Sequence, residues 1–298
     1  MELFTDEEYM FITRQLTDND RWEDADRFAD KCLQQNPLNT EALIWKGNYF
    51  AGRFRLDEAL EYYTRAIEAE PDNANAWYLR GDVHVNRKDH AAAIQDLMKA
   101  KELYATYHAD TYRLLAFCLL EMKEYAACNE VCDQIRDNHF DDYYAYTYKY
   151  QCLVRMGELE ELITIAQKQI YAGPESAEYH NKLGYGFLLL EDYPRSIRHF
   201  DDALHFEPFN SNALNNKGWA LFKMGHYEDA PEFFDSAIQN DMSNTLAYHH
   251  RAFYHLQVGR RDLAKLDLLR ARELNYRAEY DSEVDDTLLK EFKISAEE

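Results

Sequence analysis

Hydrophobic and small residues return every 34 positions along most of this chain. The clearest copy of the pattern is 211–242, which is marked by Gly218, Tyr227, Ala230, Phe234 and Ala237. One period earlier the same places hold Gly184, Tyr193, Ser196, Phe200 and Ala203. Self-similarity at a fixed period of this size is typical of a protein built from stacked repeats, because one unit alone cannot bury its hydrophobic face.

Each repeat contains two helical segments. Positions 4, 7, 8 and 11 of a unit are mostly apolar or small, the spacing of one face of a helix. In unit 40–73 a second segment follows with Ala59, Tyr63 and Ala66, and Pro71 ends it. Lys46 stands at position 7 of the same unit, so its aliphatic stem is expected to lie along the apolar seam. The pattern therefore predicts a helix, a short turn and an antiparallel helix in every unit.

The frame divides nearly the whole chain, with one extra residue at His108. It predicts eight units: 6–39, 40–73, 74–107, 109–142, 143–176, 177–210, 211–244 and 245–278. Residues 279–298 do not fit a ninth unit and are expected to form a capping helix, with Leu288, Leu289 and Phe292 on its apolar side, followed by an acidic tail.

The pattern resembles the tetratricopeptide repeat, whose 34-residue signature has Trp, Leu-Gly and Tyr in the first helix and Ala, Phe, Ala and Pro after it. Unit 177–210 carries the resemblance with Leu183, Gly184, Phe187, Tyr193, Phe200, Ala203 and Pro208. Unit 74–107 adds Trp77, Gly81, Ala93, Leu97 and Ala100, and unit 245–278 adds Tyr248, Ala252, Gly259, Ala264, Leu268 and Ala271. The resemblance implies an all-α, right-handed superhelical solenoid of antiparallel helix pairs that binds proteins.

The middle of the chain departs most from the signature. In unit 143–176, bulky Tyr150 and Leu162 stand where the family has Gly and Ala, so the helices there are expected to splay. The stretch 143–150 alternates polar and aromatic residues with period two, which taken alone indicates a strand. The repeat frame predicts a helix instead, and a lone strand would leave its backbone groups unpaired.

Charge and composition limit the kinds of partner and the cellular location that the sequence predicts. The formal charge is −22 with no basic run, and this opposes nucleic-acid binding. The absence of a long apolar run or leader pattern predicts a cytoplasmic protein without a membrane span. Five cysteines at packing positions are expected to be free thiols; metal binding by Cys118, Cys128, Cys132 and Cys152 is weaker as an interpretation, because no Cys-x2-Cys spacing is present.

No motif for catalysis, a cofactor or a metal is present, so the sequence predicts a protein that is not an enzyme. The 11 histidines are scattered along the chain. His84 and His255 both stand at position 11 and are expected to be buried packing residues rather than acid–base groups.

The resemblance places a concave groove along positions 2, 5, 9, 12 and 13 of the first helices. In the last three units these positions predict a partner-binding set of Asn181, Tyr185, Asn215, Trp219, Phe222, His249 and Phe253. Amides satisfy the main chain of an extended peptide, and aromatic faces supply buried area. The alternative is that these aromatics pack on one another or on the C-terminal tail.

Two known binding modes of the family do not fit. A clamp for chaperone C-terminal carboxylates needs a Lys where Ile44 stands and an Asn where Leu79 stands, and only Asn48 matches. A ladder of Asn at position 6 fails too, because among the units only 211–244 has one, Asn216.

The predicted function is a protein-interaction scaffold that holds a peptide or helix of another protein, chiefly in units 177–278. The alternative is an acidic structural subunit, or an inhibitor or immunity-type protein, that docks a basic partner over its surface. A regulatory module for a separate enzyme is a third option, and self-association is open.

Overall fold

In a computed structural model of the chain, the described residues are 4–138, 142–172, 176–274 and 282–292, and they form helices joined by turns, without a strand. The helices divide into two compact units, Met1–Met156 and Gly157–Glu298. No described helix has the length and apolar composition needed to cross a lipid bilayer.

The first compact unit contains nine helices within its described residues. They are α1 (Asp6–Asp18), α2 (Trp22–Gln35), α3 (Thr40–Ala51), α4 (Leu56–Ala69), α5 (Ala74–Asn86), α6 (His90–Leu103), α7 (Ala109–Glu121), α8 (Tyr125–Asn138) and α9 (Tyr143–Met156). Each packs on its neighbours in sequence, and α1–α2, α3–α4, α5–α6 and α7–α8 form close pairs. Helix α9 confirms that the alternating stretch 143–150 is helical.

The second compact unit contains eight helices in its described part. They are α10 (Leu159–Ala172), α11 (Ala177–Leu189), α12 (Tyr193–Phe206), α13 (Ser211–Lys223), α14 (Ala230–Asn240), α15 (Thr245–Gln257), α16 (Arg261–Glu273) and α17 (Ser282–Phe292). The close pairs are α11–α12, α13–α14 and α15–α16. The all-α architecture of repeated helix pairs is therefore confirmed, whereas the boundaries of the eight repeat units remain a prediction.

Asparagine caps the first helix of several pairs. The side chains of Asn39, Asn73, Asn210 and Asn244 each accept a hydrogen bond from the backbone N–H three residues later, at 2.9, 3.1, 3.0 and 3.0 Å. Such a bond satisfies one of the N–H groups that a helix leaves open at its start. The caps explain why α3, α5, α13 and α15 begin where the 34-residue frame places them.

The turn inside each pair has a left-handed residue at the same place in the frame. Positive φ angles of 57–92° occur at Asp20, Phe54, Lys88, Lys123, Gly157, Glu191, Gly225 and Gly259. Only three of these eight residues are glycine, the residue that adopts this conformation without steric cost.

A recurring contact joins neighbouring helix pairs. Five first helices carry Lys or Arg at position 7, and each cation meets a side chain 16 residues earlier. The contacts are Lys46–Asp30 (2.8 Å), Arg80–Thr64 (3.2 Å), Lys149–Asp133 (2.7 Å), Lys217–Asp201 (2.5 Å) and Arg251–Asp235 (2.6 Å). The stem of Lys46 lies in the seam as expected, but its ammonium also binds the preceding pair.

One of the two bulky residues that depart from the repeat signature, Leu162, has a packing explanation. Leu162 of α10 is fully buried, and a Cβ at Gly186 of α11 would lie 2.6 Å from its Cδ2. A glycine on α11 thus leaves the room that Leu162 fills. At the other end of this compact unit, α17 packs on α15, with Leu288 buried beside Phe222 and Tyr254. The other residues of the predicted segment 279–298, namely 279–281 and 293–298, lie outside the described residues.

Candidate functional site

The seven predicted partner-binding residues lie on α11, α13 and α15, the first helices of three successive pairs. Helix α13 contacts both α11 and α15, so the structure brings the three helices side by side. The residues differ in exposure. Asn181, Tyr185 and Phe253 are half-buried, whereas Asn215, Trp219, Phe222 and His249 are only 1%, 6%, 6% and 0% exposed.

The asparagines form a hydrogen-bonded chain with two residues outside the predicted set. Asn216 Nδ2 donates to Asn181 Oδ1 at 3.1 Å, and Asn215 Nδ2 donates to Asn216 Oδ1 at 3.3 Å. Asn215 Oδ1 lies 3.0 Å from Nδ1 of His250, which completes the chain across three helices. The amides therefore hold the helices in register, and Asn215 does not face solvent.

The aromatic residues form a cluster around Trp219. Its ring stacks on His250, with centroids 4.2 Å apart and planes within 5°, and on Phe222 at 5.2 Å. Phe253 meets the Trp219 ring edge to face at 5.8 Å. Phe222 also packs edge to face against Tyr254 at 6.2 Å. Such pairs stabilise an aromatic cluster beyond the area they bury, so Phe222 acts mainly in packing.

A pocket of about 180 Å³ lies against this cluster. Its lining is mixed and comes from the same helices, the α11–α12 turn and the first residue of α12: Tyr185, Leu188, Leu189, Glu191, Tyr193, Trp219, Lys223, Leu246 and His250. Tyr185 and Trp219 are the two predicted residues that line it. Lys223 is exposed, and its Nζ lies 5.5 Å from the centre of the Trp219 ring. The pocket thus has aromatic walls and one charge of each sign.

Burial raises the pKa of Tyr193, with a further contribution from the nearby carboxylate of Glu191. The phenol of Tyr193 is therefore neutral at physiological pH and offers a hydrogen bond to a bound group. His249 is fully buried and lies beside His250, with ring centroids 6.2 Å apart. Of the two histidines, His250 lines the pocket and His249 does not.

His84 and His255 occupy matching places. Each imidazole lies 3.8 Å from an Asp carboxylate, Asp96 or Asp267, that also binds the Arg four residues before the His. Burial lowers the pKa of both histidines, although the carboxylates act in the opposite direction. Both are buried or half-buried neutral groups inside the helix pairs.

The five cysteines are free and buried. A hydrogen bond with Cys132 together with burial raises the pKa of Cys128, and burial raises the pKa of Cys118 to about 12. Thiols with raised pKa values stay protonated and are poor nucleophiles. That these cysteines are packing residues and not metal ligands stays a prediction.

The fold defines an all-α protein of repeated antiparallel helix pairs. A family model described as tetratricopeptide repeat matches residues 46–108 and 181–245. These ranges include helices of both compact units, and the chain is a tetratricopeptide repeat protein.

Relatives of known name cover part of the chain. Stress-induced-phosphoprotein 1 of Caenorhabditis elegans is 25% identical over 191 residues, which are 62% of this chain and 57% of the relative. The Hsp70-Hsp90 organising protein of Plasmodium falciparum is 27% identical over 167 residues, 53% of this chain and 28% of the relative. The chain thus spans about a quarter to a little over half of these proteins.

A solved structure shows the same fold. The structure of Naa15/Naa10 bound to HypK-THB matches with a TM-score of 0.58 and 15% identity, over 96% of this chain and 46% of the matched chain. At this identity the likeness concerns the fold alone.

Proposed function

We propose that this chain is a protein-interaction scaffold that binds a peptide or helical segment of another protein against α11, α13 and α15. The observation that carries the proposal is the pocket beside the Trp219 cluster, lined by Tyr185, Trp219 and His250. Aromatic side chains in a concave surface are typical anchors of protein interfaces. Binding, without catalysis, is the function that the tetratricopeptide family supports.

The contact surface in this proposal is narrower than the sequence indicates. Tyr185 and the edge of Trp219 would cover an apolar side chain of the partner, with Leu246 beside them. Lys223 and Glu191 would bind polar groups at the rim. Asn215 and Phe222 would act indirectly, because they hold α13 in place through the amide chain and the aromatic cluster.

The names of the relatives suggest a chaperone as one kind of partner. A carboxylate clamp in residues 40–107 is nevertheless not part of the proposal. Ile44 and Leu79 lack the needed polar groups, and Asn48 Oδ1 accepts a hydrogen bond from the Tyr63 hydroxyl at 2.7 Å. We place the binding activity in the cytoplasm, where five free buried thiols would stay reduced.

The test uses the full chain and peptides selected on it from a display library. Their affinities are measured by fluorescence anisotropy for the wild type, for Tyr185→Ala and for Lys223→Glu. Lys265→Glu is the matched control, because it makes the same charge change at an exposed position of α16. Both pocket variants should weaken binding about tenfold, the loss of roughly 1.4 kcal/mol, while the control stays at wild-type affinity.

The second candidate, docking of a basic partner over the acidic surface, is supported by the net charge of −22. It predicts a different pattern. Binding would fall steeply between 50 mM and 500 mM salt and would not depend on Tyr185. Lys223→Glu and Lys265→Glu would each strengthen it slightly and equally, because both substitutions make the surface more negative. Salt-resistant binding that Tyr185→Ala abolishes would exclude it, and salt-sensitive binding that Tyr185→Ala leaves intact would exclude the groove.

A further inference from the structure

Two histidines and an aspartate meet between α11 and α12, and none of the three lines the pocket of the proposed groove. His180 comes from α11, and His199 and Asp202 come from α12, three residues apart and so on one face of the helix. The sequence shows these histidines as scattered, because they are 19 positions apart and meet only when the helices pair.

The geometry of the three side chains converges on one point. Nδ1 of His180 and Nδ1 of His199 each lie 3.6 Å from Oδ2 of Asp202. One ligand atom from each residue lies within 4.8 Å of the other two. These separations are too long for hydrogen bonds, so the carboxylate does not satisfy either ring.

His180 is buried and His199 is half-buried, and three of their four ring nitrogens are buried without a hydrogen-bond partner. His180 is 8% exposed, and neither of its ring nitrogens has a partner; Nδ1 of His199 has none either. Buried polar atoms are paired in most proteins, and each exception calls for an explanation such as an ion. Asp202 is about half exposed, so the cluster has one side open to solvent.

Stacking fixes the ring planes. The His199 ring lies on Phe187, with centroids 5.5 Å apart and planes within 8°, and the His180 ring lies on Phe206 at 5.7 Å and 19°. The two imidazoles are therefore held in place before any ligand arrives. A site whose ligands are already oriented has little conformational entropy to lose on binding.

We propose that His180, His199 and Asp202 bind one divalent transition-metal ion, with Zn²⁺ as the best match. Zinc in a tetrahedral site has ligand bonds of about 2.0–2.2 Å, which places neighbouring ligand atoms roughly 3.3–3.6 Å apart. Both His–Asp separations of 3.6 Å fit this range, and the histidine nitrogens, which lie within 4.8 Å of each other, would need to move closer by at most about 1 Å. Two imidazoles and one carboxylate suit zinc, and the open side leaves the fourth position to water.

The consequence is a cross-link between α11 and α12. Asn181 and Tyr185, on the neighbouring turns of α11, belong to the amide chain and the pocket. Metal binding would hold α11 against its partner helix and stabilise that part of the molecule.

The experiment titrates the tag-free, metal-stripped full chain with ZnCl₂ in a calorimeter and with CoCl₂ in a spectrophotometer. The variants are His199→Gln and Asp202→Asn, and the control is His205→Gln, an exposed histidine on the same helix. The expected result is one Zn²⁺ per chain and the visible bands of four-coordinate Co²⁺. His199→Gln and Asp202→Asn should each weaken Zn²⁺ binding at least tenfold, and His205→Gln should not.

Circular dichroism shows whether each variant is folded. Asp202→Asn changes only a half-exposed side chain, so this variant still tests the proposal if His199→Gln is unstable. Wild-type Zn²⁺ affinity in a folded Asp202→Asn variant would overturn the proposal. So would equal losses in His205→Gln, or no saturable binding by the wild type.

Discussion

At the scale of single residues, the 34-residue frame is enforced by backbone conformation as well as by packing. The left-handed turn residue recurs in every period, yet five of the eight such residues carry a side chain. A non-glycine residue in this region costs roughly 1–2 kcal/mol. The turns therefore contain local strain that the packed helices on either side offset.

Replacing Lys88 by glycine should stabilise the protein. Lys88 is exposed and has a φ of 61°, so the substitution relieves the strain without removing a buried side chain. The expected gain in free energy of unfolding is about 0.5–1 kcal/mol, after the greater entropy of unfolded glycine is subtracted. Urea unfolding followed by circular dichroism measures it. Lys265→Gly, inside α16, is the control and should lose about 1 kcal/mol; destabilisation by both changes would contradict the idea.

Glycine has the opposite role at Gly47. A Cβ there would lie 2.6 Å from Cδ1 of Tyr63, whose ring is buried and held at its hydroxyl by Asn48. Gly47→Ala is expected to cost about 1–3 kcal/mol, because the ring cannot move aside freely. Gly52 follows the last residue of the same helix and has a φ of −63°, and a Cβ there would lie 3.4 Å from its nearest neighbour, so Gly52→Ala should change stability by less than about 0.5 kcal/mol. If the two variants lower the thermal unfolding temperature equally, the contact with Tyr63 is not the cause of the stability loss in Gly47→Ala.

At the scale of elements, the recurring ion pairs join one helix pair to the next. Lys46 is the clearest case, since its side chain is 4% exposed and its Nζ binds Asp26 at 2.5 Å and Asp30 at 2.8 Å. Burial alone would lower the pKa of Lys46, but the hydrogen bonds that its ammonium donates to the two carboxylates more than offset this and raise the pKa. The ammonium is thus charged, buried and dependent on two acids.

Removing the acids should cost far more than removing the lysine. Asp26→Asn with Asp30→Asn leaves a buried uncompensated ammonium, for which about 3–5 kcal/mol is expected. Lys46→Met keeps the apolar stem and leaves carboxylates that are 25% and 47% exposed, so it should cost less than about 1 kcal/mol. The triple variant, which combines Asp26→Asn, Asp30→Asn and Lys46→Met, should regain most of the stability that the double Asp variant loses, because no buried ammonium remains. Urea unfolding of the three proteins measures this, and a triple variant no better than the double would contradict the ion-pair explanation.

Periodicity predicts the helices well because it depends only on neighbouring turns of one chain. The Gly and Ala positions and α9 follow from it directly. Contacts such as Lys46–Asp30, Asn216–Asn181 and His180–Asp202 could not be predicted in this way. They join side chains 16 to 35 positions apart, and their spacing becomes meaningful only when the register between packed helices is known. The sequence held one signal for the first of these, a basic residue at position 7 in five units.

The predicted groove residues also divide into a part that the repeat pattern predicts and a part that it does not. Position 9 correctly brought Trp219 and Phe253 together, since their rings are in contact. The burial of Trp219 and Phe222 agrees with the alternative stated from the sequence, that these aromatics pack on one another or on the C-terminal tail, since the two rings stack and Leu288 of α17 belongs to the same cluster. The stacking partner His250 could not be predicted, because it stands at a position that the repeat pattern does not assign to packing. Whether the pocket binds a partner stays a prediction.

At the scale of the whole molecule, the described helices pack on near neighbours in sequence. In solenoid proteins stability is therefore close to a sum of local terms, and unfolding need not be a single cooperative event. Leu268 of α16 and Leu43 of α3 are both fully buried, one in each compact unit. Alanine at either position is expected to remove about 2–5 kcal/mol locally.

Hydrogen exchange followed by mass spectrometry should locate the two losses separately. Leu268→Ala should speed exchange in α13–α16, because Leu268 shares a cluster with Trp219, Phe234 and Tyr254, and should leave α3–α6 at the wild-type rate. Leu43→Ala is the reciprocal control and should affect α3–α5, where Leu43 packs with Ala66 and Ala76. In a stack with only local contacts, a substitution in one helix pair destabilises that pair and the pairs that contact it. Faster exchange throughout the chain in both variants would therefore mean that the protein unfolds as one cooperative unit.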